Sequence, residues 1–162
     1  MLIAQDAIRN AAIWLQKGDS SKPTLVVLHG LFGMQVGSPY LPYLPDDMPV
    51  VALQAPELIE DIAIGSIRER ALYYRDILVS LLDGRKPIVH ILGLSFGGPL
   101  AFELAISLKR SPLNCGSLCL SDPTPFCQSI KSTVSMLAMR ARLYDFCFGI
   151  VISKQTNFKH GV

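Results

Sequence analysis

Aliphatic and β-branched residues come in short solid blocks along this chain, separated by polar or amphipathic stretches. The blocks are "TLVVLHG" (Thr24 to Gly30), "MPVVALQAP" (Met48 to Pro56), "KPIVHILGLS" (Lys86 to Ser95) and "GSLCLSD" (Gly116 to Asp122). An apolar run of this length bounded by Gly, Pro or Asp reads as a strand buried on both faces, the form typical of parallel sheets. "AAIWLQ", followed by the polar turn "KGDSSKP", reads as one more short strand.

Between the blocks the period changes. In "SIRERALYYRDILVSLLDG", Ile67, Ala71, Tyr74, Leu78 and Leu81 recur at steps of four and three, which puts them on one helix face. Ser66 with Glu69 three residues on predicts a capping box, and Gly84 a C-terminal stop. "GGPLAFELAISLKR" predicts a second helix. Its early part is apolar almost all round, and Pro99 stands in the first turn, where a missing N–H costs little. "QSIKSTVSMLAMRARLYDF" predicts a third, with Ile130, Val134, Met136 and Leu137 inward, and the final "SKQTNFKHGV" reads as frayed. Strands alternating with helices define an α/β fold, mostly parallel, with helices on both faces. The 162 residues suit one domain, 1–162.

Composition narrows the class. Half the residues are hydrophobic and 17% are charged, so a packed core is expected and disorder is not. A net charge of +2, with no basic run beyond Arg85-Lys86 and Lys109-Arg110, gives no footing for nucleic acid. The start "MLIAQDAIRN" has an early acid and no basic n-region, unlike a signal peptide. No apolar run approaches the ~20 residues of a membrane span. A soluble, cytoplasmic protein is the expectation. Cys115, Cys119, Cys127 and Cys147 match no zinc or redox spacing. They read as free thiols, and no metal or cofactor is implied.

One stretch carries chemistry. Gly93-Leu94-Ser95-Phe96-Gly97 is a G-x-S-x-G pattern between an expected strand and an expected helix, the context in which a serine is lifted out on a sharp turn. The two glycines are needed because side chains there would collide. A serine nucleophile needs a base, an acid to orient the base, and N–H donors for the oxyanion. The backbone N–H of Phe96 is one candidate donor, and that of Leu31, after His29-Gly30, is the other. His29 itself reads as a structural turn residue. Asp122 ends the strand after the second helix, at the sheet edge where sites form, and is the candidate acid.

The chain from about 12 to 126 resembles the thioesterase domains that terminate fatty acid synthases, polyketide synthases and nonribosomal peptide synthetases. The resemblance rests on "PTLVVLHG", "MPVVALQAPEL", "SIRERALYYRDIL", "GLSFGGPLAFELA" and "LCLSDPTP". It implies an α/β-hydrolase fold, Ser95 as nucleophile and Asp122 as acid. It also implies release of an acyl chain from the pantetheine thioester of an acyl carrier protein, within a larger synthase. Arg68, Arg70, Arg75, Arg85 and Lys86 are candidate contacts for an acidic carrier, or simply a solvated helix face. Other α/β hydrolases usually place the acid one strand later. Their oxyanion loop resembles "HGLFGM", which keeps a general esterase or lipase as the alternative.

The base is harder to find. His90 lies inside a strand and reads as a core residue. His160 could reach Ser95 only if the tail folded back. Forty residues follow Asp122, too few for the lid and strands that the resemblance implies. The expectation is a sheet that stops at the strand carrying Asp122, its edge bare unless a helix or another chain covers it, and a fragment without turnover is the third reading.

Overall fold

The computed structural model describes residues 10–30, 33, 40–58, 64–85, 87–121 and 150–153. Among the described residues six strands form one sheet: β1 (Ala12–Gln16), β2 (Thr24–Leu28), β3 (Val50–Leu53), β4 (Ile88–Leu94), β5 (Asn114–Ser121) and β6 (Ile150–Ser153). Their spatial order is β1-β3-β2-β4-β5-β6. β1 runs antiparallel to β3, and every other neighbouring pair is parallel. Two longer helices, α1 (Ile67–Leu81) and α2 (Gly97–Leu108), are described beside short 3-10 turns at Leu41–Tyr43 and Pro56–Leu58.

α1 starts where its sequence says it should. The Ser66 hydroxyl accepts the Glu69 N–H at 3.1 Å, and the Glu69 carboxylate accepts the Ser66 N–H at 3.0 Å. Gly84, at φ +73°, takes the left-handed turn beyond the helix end. Ser66→Ala is expected to cost about 1 kcal/mol, read as a lower denaturant midpoint at unchanged slope. Packing holds the helix more firmly than the cap does. Ile77 and Leu78 are fully buried, each contributing about 1.5–3 kcal/mol.

The two helices pack on each other and on one face of the sheet. Tyr74, Ile77 and Leu78 of α1 and Leu100, Leu104 and Leu108 of α2 share a core with Val26, Leu28, Val51, Leu53, Val89 and Ile91. β4 shows the asymmetry. Val89, Ile91 and Gly93 are buried, while His90, Leu92 and Leu94, on the opposite face, are half-buried. The solid apolar block suggested burial on both sides. The alternation arises because successive side chains point to opposite faces and the described helices lie against one.

The sheet also continues past the strand that leads to Asp122. Ile150–Ser153 pairs parallel with β5, from Leu118↔Ile150 to Ser121↔Ser153, so the edge expected to be bare is paired. "IVIS" is β-branched but only four residues long, too short to stand out beside the preceding "FCFG". The third helix and the frayed tail lie outside the described residues. Cys115 is buried and Cys119 half-buried, both as free thiols. No helix among the described residues is long and apolar enough to cross a membrane.

Strand order reverses at β2. From β2 the chain moves to β3 on one side, then crosses to β4 on the other side of β2 and continues outward to β5. The connections after β2 and β4 therefore leave in opposite directions. In open α/β sheets a cleft opens at the carboxyl ends of strands at such a reversal. The β2–β4 register, Leu28↔Gly93, brings the segment from His29 and the segment from Ser95 to that same edge.

Candidate active site

β4 ends at Leu94 and α2 begins at Gly97, so the chain turns from strand to helix over Ser95 and Phe96. Ser95 has φ +51°, and it alone among the described non-glycine residues has positive φ. Such a conformation costs an L-residue roughly 1–2 kcal/mol and persists only where the surroundings over-determine it. Here they do. A Cβ on Gly93 would stand 2.4 Å from the Gly97 carbonyl oxygen and 2.7 Å from Ala101 Cβ. A Cβ on Gly97 would stand 2.7 Å from the His29 carbonyl oxygen. Strand, helix and loop thus meet at backbone contact around the serine, as the glycine spacing predicts.

The turn leaves Ser95 exposed and Phe96 half-buried. The Ser95 carbonyl accepts the Gly98 N–H at 2.9 Å, joining it to the first turn of α2. That turn carries the partial positive charge of a helix start, a favourable setting for a developing oxyanion near Phe96.

His29 sits under the turn, 2% exposed. Its Nδ1 is 2.7 Å from the Gly30 carbonyl oxygen and its Nε2 is 2.7 Å from the Tyr74 hydroxyl. A carbonyl only accepts, so Nδ1 carries the proton and donates. Burial holds the His29 pKa below its ordinary value, which favours the neutral ring and leaves Nε2 an acceptor. The Tyr74 hydroxyl also stands 2.9 Å from the Gln54 carbonyl oxygen, and its single proton serves one of these two acceptors at a time. Burial pushes the Tyr74 pKa up, keeping the phenol protonated. The His29 ring also stacks on Phe96, with centroids 6.5 Å apart and planes 23° apart. With both nitrogens occupied, His29 is the structural residue the sequence suggested.

The loop after β2 rests on the segment after β3. The Gly33 N–H donates to the Gly30 carbonyl at 3.2 Å, and the Gly33 carbonyl accepts the Ala55 N–H at 2.7 Å. Glu57, three residues after Gln54, is held by a bidentate ion pair with Arg70 of α1. That hydrogen bonding lowers the Glu57 pKa and raises that of Arg70.

His90 is placed elsewhere. Its Nδ1 is 2.7 Å from Ser117 Oγ on β5, and burial lowers its pKa. Five residues of strand separate it from Ser95, ~16 Å along the axis. The basic residues read as carrier contacts also have partners. Arg70 pairs with Glu57, Arg75 Nε donates to Asp76 at 2.7 Å, and the Arg85 guanidinium lies 4.6 Å from the Trp14 ring centroid. Arg68 is exposed. Of the sequence-derived site residues, Ser95 and Phe96 meet at the turn, while Leu31, Asp122 and His160 lie outside the described residues, as does Lys86. Among the described residues no cluster of three or more His, Cys, Asp or Glu could hold a metal.

Tyr74 is the residue that sequence reasoning passed over. The helical period marked it as core and said nothing of its hydroxyl. The available signal was a tyrosine on an otherwise aliphatic inward face, because a buried phenol needs a partner.

Solved structures share this architecture. The chain is similar to the four-domain nonribosomal peptide synthetase AB3403 bound to AMP and glycine, at 23% identity and TM-score 0.60 over 69% of this chain and 8% of that one. It is similar to the NocB thioesterase domain in covalent complex with a fluorophosphonate nocardicin G analog, at 23% identity and TM-score 0.56, over 80% of this chain and 57% of that one. A third likeness is to a protein described as of the α/β hydrolase family, from Desulfitobacterium hafniense, at 22% identity and TM-score 0.51, over 67% and 43%. The chain thus spans less than two thirds of each of these. The fold is that of the α/β hydrolases. No protein-family model matches the chain, and no curated protein sequence matches it.

Proposed function

We propose that this chain is a thioesterase-like serine hydrolase acting on an acyl chain bound to the pantetheine arm of a carrier protein. One observation carries the reading: an exposed Ser95 at φ +51° between two sterically forced glycines, at the strand-order reversal. The likeness to a thioesterase domain supports the substrate class.

Ser95 Oγ attacks the thioester carbonyl and gives its proton to the base. The backbone N–H groups of Phe96 and Leu31 hold the oxyanion. Collapse breaks the C–S bond, and the base returns the proton to the departing thiol. Water then opens the acyl-enzyme by the same relay, releasing the acid and restoring the serine.

Asp122 is the acid in this reading. The β4–β5 ladder runs to Leu94↔Ser121, and Asp122 is the next residue. Neither described histidine is free to be the base, since His29 is held at both nitrogens and His90 sits mid-strand against Ser117; His160 would serve only where the tail folds back to Ser95. β6 runs parallel to β5 and ends level with Ser121, at the edge that holds Ser95. The seven residues from Ser153 to His160 can span ~23 Å, whereas β6 and β4 are two strand spacings apart, ~9.6 Å.

The test is hydrolysis of an acyl-pantetheine thioester beside the matching oxoester. The account expects thiol release; where the tail folds back and His160 is the base, His160→Ala loses on the order of 1,000-fold or more in kcat. A folded chain that releases no thiol contradicts it. Unchanged turnover in His160→Ala removes that residue from the triad.

A further inference from the structure

Resting on the reading of Ser95 as nucleophile, we propose that Leu58 sets the acyl-chain preference of that site, receiving the far end of a straight, apolar acyl chain whose carbonyl carbon sits at Ser95. Leu58 closes the 3-10 turn Pro56–Leu58 after β3 and is 54% exposed. An exposed leucine is ordinary by itself. Its place and its fixing set this one apart. The other exposed large apolar residues among those described are Ile13, Tyr43 and Leu72. Ile13 lies on β1, Leu72 on α1, and Tyr43 precedes β3. Leu58 alone among them follows the carboxyl end of a parallel strand, the edge that carries Ser95.

A run of short contacts leads from the serine to Leu58. A Cβ on Gly30 would stand 4.0 Å from the Leu94 carbonyl oxygen, in the peptide that enters Ser95. The Gly33 N–H donates to the Gly30 carbonyl at 3.2 Å. A Cβ on Gly33 would stand 3.1 Å from Leu58 Cδ1 and 3.4 Å from Leu58 Cγ, so the isobutyl group lies against Gly33. With β2 between them, β3 and β4 are two strand spacings apart, ~9.6 Å. An extended alkyl chain advances ~2.5 Å for every two C–C bonds of ~1.5 Å, so about eight carbons cover that span.

The turn is held at each step. The Ala55 N–H donates to the Gly33 carbonyl at 2.7 Å, and the Leu58 N–H donates to the Ala55 carbonyl at 3.1 Å. Pro56 is buried, and Glu57 is paired with Arg70. A leucine on a fixed turn presents apolar area without ordering of the backbone on binding. Each methylene buried against it is favoured by about fourfold in affinity. A short acyl group ends before Leu58 and gains nothing from it.

The test is phosphonylation of the full chain by straight-chain alkyl fluorophosphonates from methyl to decyl, read as kinact/KI at Ser95. Ser95 Oγ displaces fluoride, and the alkyl group on phosphorus takes the direction of the acyl chain on a carbonyl carbon. The wild-type value is expected to rise with length, most steeply near octyl. Leu58→Ala is expected to lower the octyl value about 10-fold, through KI, and to leave the methyl value within about twofold. Leu58→Met keeps size and apolarity and is expected to keep the wild-type profile, as is Leu72→Ala on α1. A wild-type profile flat in chain length overturns the proposal alone. So does a Leu58→Ala profile that matches wild type, or one that falls equally at methyl and octyl. Failure of the folded wild-type chain to label with any member of the series overturns the reading of Ser95, and this role falls with it.

Discussion

Ser95→Ala is expected to lower thioester and oxoester hydrolysis on the order of a million-fold in kcat where the serine is the nucleophile, leaving only the residual rate that oxyanion donors and binding supply. The fold should survive, since Ser95 is exposed and its side chain fills no core space. Ser95→Gly gives a sharper contrast. Glycine takes φ +51° without the Cβ penalty that serine bears there. That variant should be as inactive as the alanine, with an unfolding midpoint at or above wild type. An ordinary turn would gain stability in the same way but lose no activity. Wild-type turnover in either variant, measured as thiol release, would exclude Ser95 from the chemistry.

The second large effect is structural. Gly97→Ala places a Cβ 2.7 Å from the His29 carbonyl oxygen and 3.1 Å from that of Leu28. Gly93→Ala drives one to 2.4 Å from the Gly97 carbonyl oxygen. Both obstacles are backbone, so neither can swing aside, and the strand, the helix start and the loop after β2 must separate. Each substitution is expected to cost about 3 kcal/mol or more, at the upper end for an overpacked site, and to abolish labelling of Ser95. Gly65→Ala is the control. Among the described residues its Cβ would meet only the Glu69 carboxylate, at an ordinary 3.7 Å, and it should stay within about 0.5 kcal/mol of wild type. Chemical denaturation of the three variants side by side separates crowding at the turn from a general effect of removing glycine.

What could be read from sequence, and what could not, follows the range of the interactions involved. Ser66 and Glu69 close their capping box across three residues, and Gly84 turns the chain immediately beyond α1; both are local and both are legible. The Gly93-x-Ser95-x-Gly97 turn is local too, and its glycine spacing already states the steric reason that the coordinates give. The partnership of Tyr74 with His29 spans 45 residues and depends on where α1 lands on the sheet, which helical period does not specify. The Glu57–Arg70 pair was hidden likewise, so Arg70 was read as a surface cation. β1 was legible as a strand, but its antiparallel pairing with β3 was not. β6 was missed because four residues supply too little pattern, and its importance lies in its register with β5.

The central claim is that the turn between β4 and α2 presents a nucleophile to a substrate-accessible crevice. The most direct measurement is to treat the folded chain with an alkyl fluorophosphonate and map the adduct by peptide mass spectrometry. The account predicts a single adduct, on Ser95, that is absent after heat denaturation and absent in Ser95→Ala. A folded chain that takes up no reagent, or takes it up at another serine, would contradict it.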